Sequence, residues 1–99
     1  MERLALKTDI IDKTWTPLGW GVACSRIQDV AFDVLTDKEL IKITKNSQKD
    51  FDECDGSDFL VMNGKYFDWK EFGYRYRDII AAYLDYYTND QLKLIASHL

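Results

Sequence analysis

Proline and glycine are scarce in this sequence of 99 residues, which contains one proline, Pro17, and five glycines. No stretch rich in proline, glycine or serine divides the chain, so nothing in it is typical of a linker between two cores. Hydrophobic residues make up 46% of the composition, enough to bury a substantial core. The sequence therefore predicts a single compact domain over residues 1–99.

Long hydrophobic runs are also missing. The first residues carry a charge every few positions, and no apolar run approaches the ~20 residues that span a bilayer. We therefore expect no secretory signal and no membrane segment, and we expect a cytoplasmic protein. In a reducing compartment Cys24 and Cys54 are expected to be buried hydrophobic side chains rather than a disulfide.

The sequence lacks a complete set of residues for any catalytic or metal-binding motif that we tested. The only histidine, His98, lies one residue from the C-terminus, which suits neither a general base nor a metal ligand. Gly19–Gly21 lacks the third glycine of a phosphate-binding loop. An EF-hand loop starting at Asp50 would need glycine and glutamate where Asp55 and Val61 stand. We expect no enzyme, no metal and no cofactor.

Excess positive charge is absent as well. The net charge is −4, with +1 in residues 1–49 and −5 in residues 50–99. A sequence pI near 4.8 argues against nonspecific binding to nucleic acid or to an anionic membrane, because both need clustered positive charge.

The first half of the chain predicts a strand, a loop and two helices. Polar and apolar residues alternate over residues 3–10, the period of a half-buried strand. Residues 14–21 predict a loop held down by its tryptophans, and residues 22–35 have the apolar spacing of an amphipathic helix. Thr36 and Glu39 form a capping box for a second helix, expected to run to about Lys45.

The second half predicts a hairpin and two more helices. After a polar, acidic segment at residues 46–58, Asn63–Gly64 predicts a type I′ turn within a hairpin over residues 59–67. A looser capping box, Asp68 to Glu71, opens a helix with a long apolar stripe that reaches Tyr87. Thr88–Gln91 is a third capping box and opens a terminal helix.

These elements predict an α+β fold, mainly helical, with three or four helices and a small antiparallel sheet. The sheet consists of the hairpin, with or without the strand at residues 3–10. The alternative is an all-helical bundle with an appended hairpin. Residues 32–40 also align with residues 84–92 at an offset of 52 residues, which shared helix-start signals explain as well as duplication does.

Two sets of residues are candidates for contact with a partner. Acidic side chains crowd into one short segment, and aromatic and basic side chains interleave on the following helix, where those off the apolar stripe suit a protein interface. The predicted partner-binding residues are Asp50, Asp52, Glu53, Asp55, Asp58, Tyr74, Arg75 and Tyr86.

The function that we predict is stoichiometric binding to another protein with an electropositive surface. Inhibitors, immunity proteins, antitoxins and phage-encoded antagonists of host factors are proteins of this class. Charge complementarity would speed the association of such a pair. The alternative is a nucleic-acid-binding or transcription-modulating protein that uses the helix after Asp68, through Tyr74, Arg75, Arg77 and Lys93.

Overall fold

The computed structural model describes residues 2–54, 59–68 and 77–99, except the side chains of Glu53 and Cys54. Within these residues the chain is mainly helical, with five helices and one two-stranded antiparallel hairpin. In chain order the elements are α1 (Glu2–Thr14), α2 (Trp20–Val34), α3 (Asp37–Cys54), β1 (Phe59–Met62), β2 (Lys65–Asp68), α4 (Arg77–Leu84) and α5 (Asn89–Ser97).

The predicted strand at residues 3–10 is wrong, because this segment belongs to helix α1. The alternation depended on Leu4 and Thr8, which are both exposed. The buried positions recur instead at helical spacing, and the face that packs inward consists of Leu6, Ile10, Ile11 and Thr14. Consequently the sheet has no third strand among the described residues, and the helices outnumber the three or four expected.

Helix α1 packs against α5, α4 and α2. Two basic side chains fix its position on the turn between α4 and α5. The Lys7 ammonium lies 2.7 Å from a carboxylate oxygen of Asp85 and the Arg3 guanidinium lies 3.4 Å from the same oxygen. Arg3 also donates to the carbonyl oxygen of Tyr87 at 2.8 Å.

The loop over residues 15–19 leads into α2, and Trp15 and Trp20 on either side of it are half-buried against the core, as predicted. Helix α2 also follows its predicted apolar pattern, with Ala23, Ile27 and Ala31 buried.

The capping box at the start of α3 is confirmed. The Thr36 hydroxyl accepts from the Glu39 backbone N–H at 3.2 Å, and the Glu39 carboxylate accepts from the Thr36 N–H at 3.1 Å. The predicted end near Lys45 is wrong, because α3 continues to Cys54. Side-chain contacts help to stabilise this polar extension, among them a 2.8 Å hydrogen bond from Gln48 to Asp52, one turn apart.

The predicted hairpin is confirmed. Asn63 and Gly64 have φ values of 52° and 75°, the two positive values that a type I′ turn requires. The Asn63 amide also donates to the carbonyl oxygen of Ala82 at 2.6 Å, which attaches the turn to α4. Leu60, Met62 and Phe67 carry the hairpin into the core.

The capping box at the start of α5 is confirmed with both of its hydrogen bonds, between Thr88 and Gln91. Helix α4 ends at Leu84, one turn before the predicted Tyr87, because residues 85–87 form the turn into α5. The predicted start of that helix, at residues 69–71, lies outside the described residues. Side chains from all five helices and the hairpin meet in one buried cluster, in which Ile10, Ile27, Ile80, Leu84, Leu92 and Ile95 are fully buried.

Candidate functional site

Two of the predicted partner-binding residues contact each other. Asp50, half-buried on α3, accepts a hydrogen bond from the Tyr86 hydroxyl and another, at 2.8 Å, from the backbone N–H of Asn63. The Tyr86 ring lies edge-on to that of Tyr83, with 5.8 Å between the ring centroids. Asp50 and Tyr86 therefore hold the hairpin against α3 and the turn after α4.

The other members of the predicted set are only partly described. Asp52 is exposed on α3, where it accepts the hydrogen bond from Gln48. Glu53 lies in the same helix, but its side chain is not described. The remaining four lie outside the described residues: Asp55, Asp58, Tyr74 and Arg75.

Of the basic residues behind the nucleic-acid alternative, the two that the structure describes both have acidic partners. Arg77 forms an ion pair with Asp12. Lys93 lies 2.7 Å from the Glu2 carboxylate, and this hydrogen bond and charge raise the pKa of Lys93. These two side chains connect α4 and α5 to α1.

The groups that carry nucleophilic or acid–base potential are buried or isolated. Cys24 is a free thiol, and burial raises its pKa to about 12, so it stays protonated at neutral pH. The Tyr83 and Tyr87 hydroxyls lie 2.7 Å apart in the interior, and burial raises the pKa of both. His98 is exposed near the end of the chain. No group of three potential metal ligands occurs in the described part of the chain.

An open groove lies between the C-terminal part of α2 and the N-terminal part of α3. Phe32 on α2 is 66% exposed and Ile41 on α3 is 56% exposed, although both are large and apolar. The outer part of the groove has a volume of about 610 Å³ and is lined by Phe32, Asp37, Leu40, Ile41, Thr44 and Lys45.

The groove continues inward between α2, α3 and α4. This inner part has a volume of about 230 Å³, and the aromatic side chains of Tyr83 and Tyr87 on α4 line it. Polar side chains from the two flanking helices also reach it, among them Gln28 from α2 and Thr44 and Ser47 from α3. The groove is thus apolar at its mouth and carries hydrogen-bonding groups inside.

Local structure at the junction of the two helices keeps the groove open. Leu35 ends α2 in an extended conformation, with φ −100° and ψ 156°, and the chain then starts α3 with its own capping box at Thr36. In the first two turns of α3 Leu40 is only half-buried, and Ile43 is the first residue of the helix to be buried. Helix α3 therefore meets the body of the protein along a narrow stripe and leaves its side toward Phe32 uncovered.

The charge around the groove is mainly negative. Asp29 and Asp33 lie on the exposed side of α2 and Asp37 lies at the start of α3. Within the described residues none of these three carboxylates forms an ion pair, whereas Lys45 is the one basic side chain in the outer lining. An apolar, positively charged ligand surface fits this arrangement.

Sequence reasoning missed the groove, although the sequence held a signal for it. Phe32 falls outside the apolar stripe of α2, and Ile41 falls outside the stripe of α3 that contains Leu40 and Ile43. Large apolar residues that a helix does not need for its core stripe mark candidate contact surfaces when they come together.

No helix of the described residues has the length and apolar character that crossing a membrane requires. Comparison of the chain with protein-family models, with curated proteins and with solved structures gave no match. The function must therefore be argued from the geometry described above.

Proposed function

We propose that this chain is a small, non-enzymatic protein-binding domain that docks an electropositive partner protein in the groove between α2 and α3. Stoichiometric inhibitors, immunity proteins, antitoxins and phage-encoded antagonists work in this way, by covering a surface of the partner. The observation that carries the proposal is the pair of exposed apolar side chains, Phe32 and Ile41, at the mouth of a groove.

Exposed apolar side chains that face each other cost free energy in water, and a partner that covers them recovers it, by about 25 cal/mol for each Å² of apolar surface buried. Single exposed apolar residues are ordinary, but a pair that shares a groove provides an anchoring pocket. Leu40, half-buried between them, extends the apolar surface toward the interior.

The exposed carboxylates supply the preference for a basic partner. Asp29, Asp33 and Asp37 surround the mouth of the groove, and Asp52 lies on the same side of α3 as Ile41, about three turns further along. Opposite charge on the partner would steer the encounter and raise the association rate at low salt. The predicted acidic residues that follow Asp52 would extend the same negative surface.

A peptide selection tests the proposal without knowledge of the natural partner. Random 16-residue peptides are displayed and selected for binding to the full-length protein, and the enriched peptides are synthesised and titrated against variants. A double substitution, Phe32→Ser with Ile41→Ser, is expected to weaken binding by at least ~30-fold, the effect of losing an anchoring side chain. Binding should also weaken as salt increases.

Leu18→Ser is the matched control. Leu18 is 77% exposed in the loop before α2, and it lies at the opposite end of that helix from Phe32. The control should leave the affinity unchanged, and circular dichroism should show that all variants remain folded. If no peptide is enriched, or if the enriched peptides bind the double variant as well as the parent, the proposal is wrong.

A further inference from the structure

The helix pairs α2–α3 and α4–α5 correspond to each other at an offset of 52 residues. Thr36 and Glu39 cap α3 just as Thr88 and Gln91 cap α5. The two boxes also touch, because the side-chain N–H of Gln91 donates at 2.8 Å to Glu39, the residue 52 positions before it.

Burial follows the same offset in the interior. Four positions of the first helix pair that are less than 10% exposed match four equally buried positions of the second. These matched positions are Ile27 and Ile79, Ala31 and Tyr83, Leu35 and Tyr87, and Ile43 and Ile95. The two helix pairs therefore turn equivalent faces toward the core.

The correspondence fails where the groove lies. Phe32 is 66% exposed, whereas its counterpart Leu84 is 0% exposed. Gln28 and Thr44 line the inner groove, and their counterparts Ile80 and Ala96 are buried. The same surface is thus apolar and covered on the second helix pair, but open and partly polar on the first.

Helix α1 supplies the cover on the second pair. It packs on α4 and α5 and also touches α2. The open groove is lined by α2, α3 and α4, the three helices that correspond to this seat when the two pairs exchange roles. The groove therefore has the helical surroundings of a seat for one more helix.

The charges agree with this relationship. Asp85, beside the seat of α1, pairs with Lys7 and Arg3 of that helix. Its counterpart at the offset of 52 is also an aspartate, Asp33, which is exposed and forms no ion pair within the described residues. A helix in the open groove would find in Asp33 the acidic partner that α1 finds in Asp85.

We propose that the groove between α2 and α3 binds an amphipathic α-helix of a partner protein, seated as α1 is seated, with a lysine or arginine paired to Asp33. This rests on the proposed function and names its ligand. Apolar side chains spaced three and four residues apart would cover Phe32 and Leu40, as Leu6 and Ile10 do in α1.

A partner's helix fits the groove better than α1 of a second copy does. That helix is already held in its own chain by Asp85 and by the core, so it would have to leave this seat first. The polar side chains of Gln28, Thr44 and Ser47 also suit a ligand that comes and goes, because the empty groove can be hydrated.

The enriched peptides from the selection serve as the probe. Peptides that depend on Phe32 and Ile41 are labelled with ¹³C, and chemical shifts report their conformation when bound to the full-length protein. They are expected to be helical and to carry lysine or arginine. Asp33→Asn is expected to weaken their binding about tenfold, and Asp90→Asn, an exposed aspartate on α5, is the control that should change nothing.

Each other outcome has a distinct meaning. Peptides that require Phe32 and Ile41 but bind in an extended form, or that ignore Asp33→Asn, overturn the helix inference and leave the proposed function in place. Peptides that do not require the groove contradict the proposed function itself. If analytical ultracentrifugation shows a dimer of the parent chain that Phe32→Ser dissolves, the occupant is a second copy and the inference is wrong.

Discussion

The side-chain N–H of Gln91 donates a 2.8 Å hydrogen bond to the Glu39 carboxylate and so joins the starts of α3 and α5. Glu39 already accepts from the backbone N–H and the hydroxyl of Thr36. The hydrogen bond from Gln91, followed by those from Thr36, lowers the pKa of Glu39 below its ordinary value of 4.5. One carboxylate therefore holds two helix starts in a fixed relationship.

Gln91→Glu is expected to destabilise the protein at neutral pH, because it places a second carboxylate against Glu39. The double variant Glu39→Gln with Gln91→Glu should recover stability, since it reverses the hydrogen bond and leaves each capping box with a permitted residue. Urea denaturation of the three proteins measures the free energy of unfolding. A double variant less stable than Gln91→Glu alone would contradict the arrangement.

The lowered pKa of Glu39 also has a pH signature. Its contribution to stability is present above the ordinary pKa of 4.5 and is lost as the pH falls from there through the lower value in the folded protein. The parent should therefore lose more stability below pH 4.5 than Glu39→Gln does. Equal acid sensitivity of the two proteins would show that the interaction has no energetic effect.

Asp85→Asn is expected to cost about 1 kcal/mol, because the partly buried ammonium of Lys7 loses its charged partner. Asp33→Asn, the same change at the corresponding position of α2, should alter the free energy of unfolding by less than about 0.5 kcal/mol, as is usual for an exposed residue without contacts. Thermal or urea unfolding compares the two. Equal losses would mean that Asp33 has a structural role, which the described contacts do not show.

The hydroxyls of Tyr83 and Tyr87 form a buried pair, so their removal should be strongly non-additive. Tyr87→Phe leaves the Tyr83 hydroxyl without this partner and should cost about 1 to 3 kcal/mol. The double variant Tyr83→Phe with Tyr87→Phe should lose less than the sum of the single variants, and a double-mutant cycle measures the difference. Additive losses would contradict the pairing.

Burial raises the pKa of both phenols above their ordinary value of 10. As the pH rises past about 10, the unfolded chain releases these protons while the folded chain keeps them, so the free energy of unfolding falls. The double phenylalanine variant should lose less stability between pH 9 and 11 than the parent does. Alkaline denaturation followed by circular dichroism tests this.

Gly64→Ala tests the hairpin turn. The new methyl group would meet no atom within 4 Å, but Gly64 has a φ of 75°, where any side chain is strained. A loss of about 1 to 2 kcal/mol is expected from the backbone alone. Gly21→Ala, in α2 with equally open space around it, is the control and should be neutral or stabilising.

Local signals predicted the elements whose structure depends on neighbouring residues. The capping boxes at Thr36 and Thr88 and the turn at Asn63–Gly64 each need only a few side chains and a favoured backbone conformation, and all three are confirmed. The apolar stripe of α2 was equally readable, because Ile27 and Ala31 recur at helical spacing.

Elements stabilised by distant contacts were not predicted. The segment of α1 has both a strand-like and a helical pattern, and the choice depends on whether Ile11 and Thr14 find a surface, which α2, α4 and α5 provide. The extension of α3 beyond Lys45 is polar and depends partly on the contact of Asp50 with the hairpin. The groove escaped prediction for the same reason, since Phe32 and Ile41 become neighbours only when the two helices turn back at Leu35.

The packing of α1 on α5 brings the beginning of the sequence against its end, since Lys93 pairs with Glu2 and Lys13 donates to the carbonyl oxygen of Ala96. During synthesis α1 emerges long before the helices that complete its seat. Its apolar face, with Ile10 and Ile11, must wait for about eighty further residues before it is fully covered. Until then the open α2–α3 groove is not the only helix-binding surface in the nascent chain, and a chaperone would meet α1 first.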